Sequence, residues 1–64
     1  MEILEFNFEY KDKVIAAVKK LSTSKIFTQM NNFRDGDTPM FRLKVEGKEN
    51  DVDFFIQQLN AELN

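Results

Sequence analysis

Five lysines, Lys11, Lys13, Lys19, Lys20 and Lys25, fall between positions 11 and 25 with a single acid, Asp12, among them. Together with Arg42 and Lys44 they supply the kind of cationic groups that follow a phosphate backbone. A second group, Asn31, Asn32, Asp35 and Asp37 around Gly36, offers the hard oxygens that a Ca²⁺ ion takes. A third, Ser22-Thr23-Ser24 beside Lys25, sets hydroxyls next to an amine, the minimum for a nucleophile with a base.

The last two groups have simpler accounts. The chain contains no His and no Cys, so the commonest general base and the commonest soft metal ligands are missing. The hydroxyl cluster stands where a helix must stop, and Ser and Thr stop helices by competing for backbone hydrogen bonds. The oxygen cluster lacks EF-hand spacing and a following bidentate Glu, and Asn, Asp and Gly are the residues a tight turn needs. The expectation is therefore no catalytic residue, no metal and no cofactor.

Composition sets further bounds. At 64 residues the chain is read as a single domain, 1–64, with 42% apolar and 31% charged residues, the balance of a folded protein. A domain this short buries little of its surface, and without disulfides its core must be good or self-association must add to it. The acidic, alternating start Met1-Glu2-Ile3-Leu4-Glu5 is unlike a signal peptide, and no run approaches the ~20 apolar residues of a membrane span, so a cytoplasmic location and no membrane partner are expected. The net charge of −2 argues against broad nucleic-acid affinity. Along the chain the charge runs acidic over 1–10, basic over 11–25 and acidic again over 46–64.

The elements that must position these residues follow from periodicity. Leu4, Phe6, Phe8 and Tyr10 alternate with Glu5, Asn7 and Glu9, which predicts a half-buried strand with the rings on one face. Val14, Ala17, Val18 and Leu21 recur at helical spacing and predict a helix over about Asp12–Ser22, with Lys13, Lys19 and Lys20 away from the stripe. A hairpin follows. Its first arm, about Ile26–Asn32, is weakly patterned and its facing open. Its second arm is clear, with Phe41, Leu43 and Val45 alternating with Met40, Arg42 and Lys44. Asp35-Gly36 marks the turn within a loop over 33–39, and Pro39 suits a strand start. A last helix begins near Asn50 as N-cap and carries the stripe Val52, Phe55, Ile56, Leu59 and Leu63.

This order predicts an α+β, β-α-β-β-α two-layer sandwich: a three-stranded antiparallel sheet in the order 1-3-2, with both helices on one face. The best-patterned strand, the third, takes the centre. The arrangement resembles a ferredoxin-like fold cut short before its fourth strand.

Two features then point to protein recognition. The first strand should lie at an edge with no Pro and only Glu5 and Glu9 to discourage pairing, so another copy could add there, and Glu5, Asn7 and Glu9 become candidate contact residues. On the last helix Phe54 points about 200° from Val52 at 100° per residue, among Gln57, Gln58 and Ala61. It either folds over the hairpin tip near Phe33 or Met40 or anchors a partner. The leading expectation is a small non-enzymatic protein-interaction or regulatory module, homodimeric through its first strand, with Phe54, Gln57 and Gln58 as further contacts. The alternative is a nucleic-acid-binding factor using Lys13, Lys19 and Lys20 of the first helix with Arg42 and Lys44 of the sheet. A metabolite-binding module ranks last, because Glu9-Tyr10-Lys11-Asp12 lacks the glycines that let backbone approach a ligand.

Overall fold

The computed structural model describes all 64 residues, in the order β1 (Glu2–Asn7), a 3-10 turn (Phe8–Tyr10), α1 (Lys11–Leu21), β2 (Phe27–Asp35), β3 (Thr38–Glu46) and α2 (Glu49–Leu63). The sheet is antiparallel with β3 central and β1 and β2 at its edges, the 1-3-2 order the patterning predicts. Alternation along β3 sends Phe41, Leu43 and Val45 to one face, where all three are buried. Val14, Ala17 and Val18 of α1 and Val52, Phe55 and Leu59 of α2 complete the core, so both helices lie on that face. These nine are the only buried residues in the chain, and Leu4, Phe6, Ile15, Leu21, Ile26, Ile56 and Leu63 pack against them partly buried. No helix is long and apolar enough to cross a membrane.

The first strand is shorter than its alternation predicts. Leu4 and Phe6 face the helices opposite Leu43 and Phe41, as expected, and are partly buried against the core. Phe8 and Tyr10 are not part of the strand. They belong to the 3-10 turn and are 42% and 43% exposed. The reason is written on β3. A two-residue turn pairs Asp35 with Thr38, so the even residues of β3 direct their backbone groups to β2 and the odd ones to β1. The next pair along β1 would set Phe8 against Pro39, whose nitrogen carries no hydrogen for the Phe8 carbonyl. That carbonyl accepts the Lys11 N–H instead, which closes the 3-10 turn and leads straight into α1.

The hairpin arms are longer than predicted and the loop collapses to two residues. Gly36 has φ +62 and Asp37 a negative φ, so the turn has the primed geometry with Gly first that matches strand twist. Asp35 is thus the last residue of the strand, and Pro39 lies inside β3 rather than before it. The last helix starts one residue before the predicted cap. Val52 N–H donates to the Lys48 carbonyl at 2.9 Å, so Asn50 sits within the first turn and caps nothing. Just before it, Gly47 has φ +154, and a Cβ there would stand 2.8 Å from the Lys25 carbonyl oxygen, so only glycine fits this crossing.

Candidate functional site

The basic residues divide between two sides of the molecule. Lys13, Lys19 and Lys20 lie on the exposed face of α1, and Lys20 Nζ donates to Glu62 at 3.0 Å. Arg42 and Lys44 project from the opposite surface, the face of the sheet without helices. There the Arg42 guanidinium donates to Glu5 at 2.9 and 3.1 Å and lies 4.1 Å from the centre of the Phe33 ring. Lys44 pairs with Glu46 at 3.1 Å. Three of the five candidate cations therefore already face a carboxylate, and the helix layer and the sheet together separate the two sets. These pairs are half-exposed and each adds little to stability.

The interaction candidates are divided in the same way. Glu5 and Asn7 lie on the open face of β1, opposite Arg42 and Met40, whereas Glu9 is in the 3-10 turn. Phe54, Gln57 and Gln58 lie on the solvent side of α2. Phe54 is 63% exposed and stands away from the hairpin tip. With Leu21, Ile26, Phe55 and Gln58 it lines a groove of about 310 Å³ between α2 and the α1–β2 connection. Gln57 lies outside that groove. At the other end of the molecule Phe8, Phe33, Pro39 and Met40 form a shallow apolar hollow. Lys11 Nζ stands 5.1 Å from the Phe8 ring centre there, within cation–π range.

The oxygen-rich hairpin residues do not converge. Alternation puts Asn31 and Asn32 on opposite faces of β2, and no group of three or more His, Cys, Asp or Glu is placed to hold a metal ion. Thr23 Oγ1 accepts the Lys25 N–H and the Thr23 carbonyl accepts the Ile26 N–H, so this cluster shapes the connection after α1.

One surface escaped the reading of the residues. Strand β2 is a nine-residue edge, half as long again as β1, and none of its side chains is buried. Phe27 is 60% exposed on the open face, and Met30 is 39% exposed on the helix side, although its partner Leu43 is fully buried. Phe27 to Phe33 carry no charge in a chain that is 31% charged. That gap was the available signal, and it is easily overlooked because it consists of something missing.

Comparison with protein-family models, with curated proteins and with solved structures returns no match to this chain.

Proposed function

We propose that this chain is a non-enzymatic protein-interaction or regulatory module of the cytoplasm that associates with a second copy of itself. The observation that carries the proposal is the distribution of apolar side chains. Nine residues are buried, while Phe27, Phe54, Ile3 and Met30 stand exposed on elements that are otherwise well formed. An aromatic anchor flanked by amides, as at Phe54 with Gln58, is the composition of a recognition surface rather than of a reaction centre. The order of elements supports a ferredoxin-like arrangement without a fourth strand, which leaves an edge open on each side of the sheet.

Both edges are available for self-pairing. Sedimentation equilibrium from ~1 µM to ~1 mM tests association, and proximity labelling by native chain and by Phe54→Ala tests the helix surface. A chain that stays monomeric, with a labelling profile unchanged by Phe54→Ala, removes the proposal.

A nucleic-acid reading rests on the Arg42 guanidinium stacked on Phe33 beside Lys44, a basic and aromatic surface on the open face. The neighbouring Glu5 and Glu46 weigh against it. A mobility-shift titration at low salt with single-stranded RNA and DNA tests it, and binding that weakens steeply with added salt is the result it requires.

A further inference from the structure

We infer that β2 is a dimerisation edge: two copies pair β2 antiparallel about a two-fold axis at Met30, forming one six-stranded sheet with all four helices on the same side. The inference rests on the self-association reading above and names the surface that performs it.

The edge is open, and its only charges, Arg34 and Asp35, lie at the turn end. The even residues Thr28, Met30, Asn32 and Arg34 direct their N–H and C=O groups away from β3, since the odd residues are those that bond to it. Edge strands that stay single carry lysines, prolines, bulges or inward charges. From Phe27 to Phe33 there is no charge and no proline, and the pairing with β3 runs from Phe27 to Asp35 without interruption.

The occupant follows from register. A continuous sheet with helices on one side requires opposed residues to share a face, which allows only a few alignments. With Met30 on the axis, Met30 meets Met30, Thr28 meets Asn32, Gln29 meets Asn31 and Phe27 meets Phe33, each pair occurring twice except the axial one. Phe27–Phe33 and Gln29–Asn31 then occupy the non-hydrogen-bonded positions, where side chains approach most closely and aromatic pairs contribute most. Beyond the paired stretch, Lys25 of each copy comes towards Asp35 of the other. Arg34 of each copy falls opposite Ile26 of the other, and the hairpin turn arrives beside Ser24, next to the groove that Phe54 lines. Moving the axis to Asn31 sets Phe27 against Asp35, and moving it to Gln29 sets Phe33 against Lys25. A second copy in the Met30 register matches like with like from Phe27 to Phe33, which an unrelated strand has no reason to do.

The other edge fits itself poorly. Pairing β1 about Glu5 opposes two carboxylates at the axis, and pairing it about Leu4 sets Glu2 against Phe6 and Ile3 against Glu5. In the six-stranded sheet both outer edges are β1, so Glu2 and Glu5 stand where further growth would begin and the assembly closes at two.

The test uses the full chain and charge complementation at the axis. Met30→Lys and Met30→Glu each place like charges opposite one another, and each raises the dimer dissociation constant at least tenfold with an unchanged far-ultraviolet circular dichroism spectrum. A one-to-one mixture of the two restores a dimer. Under a glutathione buffer, Gln29→Cys mixed with Asn31→Cys forms a disulfide heterodimer that neither variant forms with itself, because the opposed positions differ. Two exposed positions are used, so loss of the fold does not confuse the result. A dimer that cross-links instead through Ile3→Cys with Glu5→Cys overturns the β2 assignment and leaves self-association standing. A monomer up to ~1 mM overturns both, and fibres that bind thioflavin T overturn the closed pair.

Discussion

Strands β2 and β3 have the same length and pair residue for residue, yet one builds the core and the other buries nothing. The contrast is sharpest within a single pair. Leu43 is fully enclosed by both helices, while Met30, directly opposite on the same face, is more than one-third exposed. Neighbours on both sides and a helix layer above make the first a core residue. The second has a neighbour on one side only. Burial in this sheet is thus decided by place in the strand order, and β-propensity alone would not separate the two. An edge strand held mainly by its hydrogen bonds is free to carry a surface chosen for something other than stability.

That contrast can be broken in graded ways. Truncation of Leu43 to Ala leaves a cavity beneath both helices and is expected to cost ~2–5 kcal/mol, enough to unfold much of a domain this small. The same truncation at Met30 should cost below about 1 kcal/mol, the range of a surface change. Urea melts at a concentration that keeps the chain monomeric compare them, and equal losses would mean that β2 is as much part of the core as β3. Next in size is Gly47→Ala, where a positive φ and the Lys25 backbone oxygen 2.8 Å from the new Cβ combine. A loss of ~1–3 kcal/mol is expected, seen as a fall in Tm of several degrees. Gly36 shares the positive φ but has open space around it, so Gly36→Ala should cost only about 1 kcal/mol and Gly36→Asn less still. If Asn rescued position 47 equally well, the close crossing there would not be the cause. The smallest effect belongs to the open face. Glu5→Gln removes the pair with Arg42 and should shift stability by about 0.5 kcal/mol or less at low salt, vanishing at 1 M NaCl.

How much could be read beforehand follows the same division. The stripes of α1 and α2 and the alternation of β3 were legible because each faces a core, and burial forces apolar residues into the period of the element. Together with the turn residues they were enough for the element order and the strand order. Strand β2 was illegible because none of its side chains is enclosed by the core, so no apolar period is forced on it. Phe8 and Tyr10 misled for a different reason: their alternation is real, but the residue that ends the strand, Pro39, lies about thirty positions away. Among the candidate residues, Phe54 falls off the apolar stripe at 100° per residue, and it lies exposed there. Lys20 meets Glu62 through the packing of α1 on α2, and Arg42 meets Phe33 through the register of β2 on β3, neither of which periodicity specifies. The β2 edge is marked in the sequence only by the absence of charge from Phe27 to Phe33, a weaker signal than a charge that is present.

Pro39 has a consequence for how the sheet finds its alignment. If β1 slid two places towards the hairpin turn, Leu4 and Phe6 would still face the helices, so apolar patterning alone does not forbid the shift. Such a slide would bring Phe6 opposite Pro39 and leave a carbonyl in the middle of the sheet with no hydrogen to accept. The Pro39 ring thereby disfavours the slipped alignment by one ladder hydrogen bond, a penalty that apolar patterning does not supply.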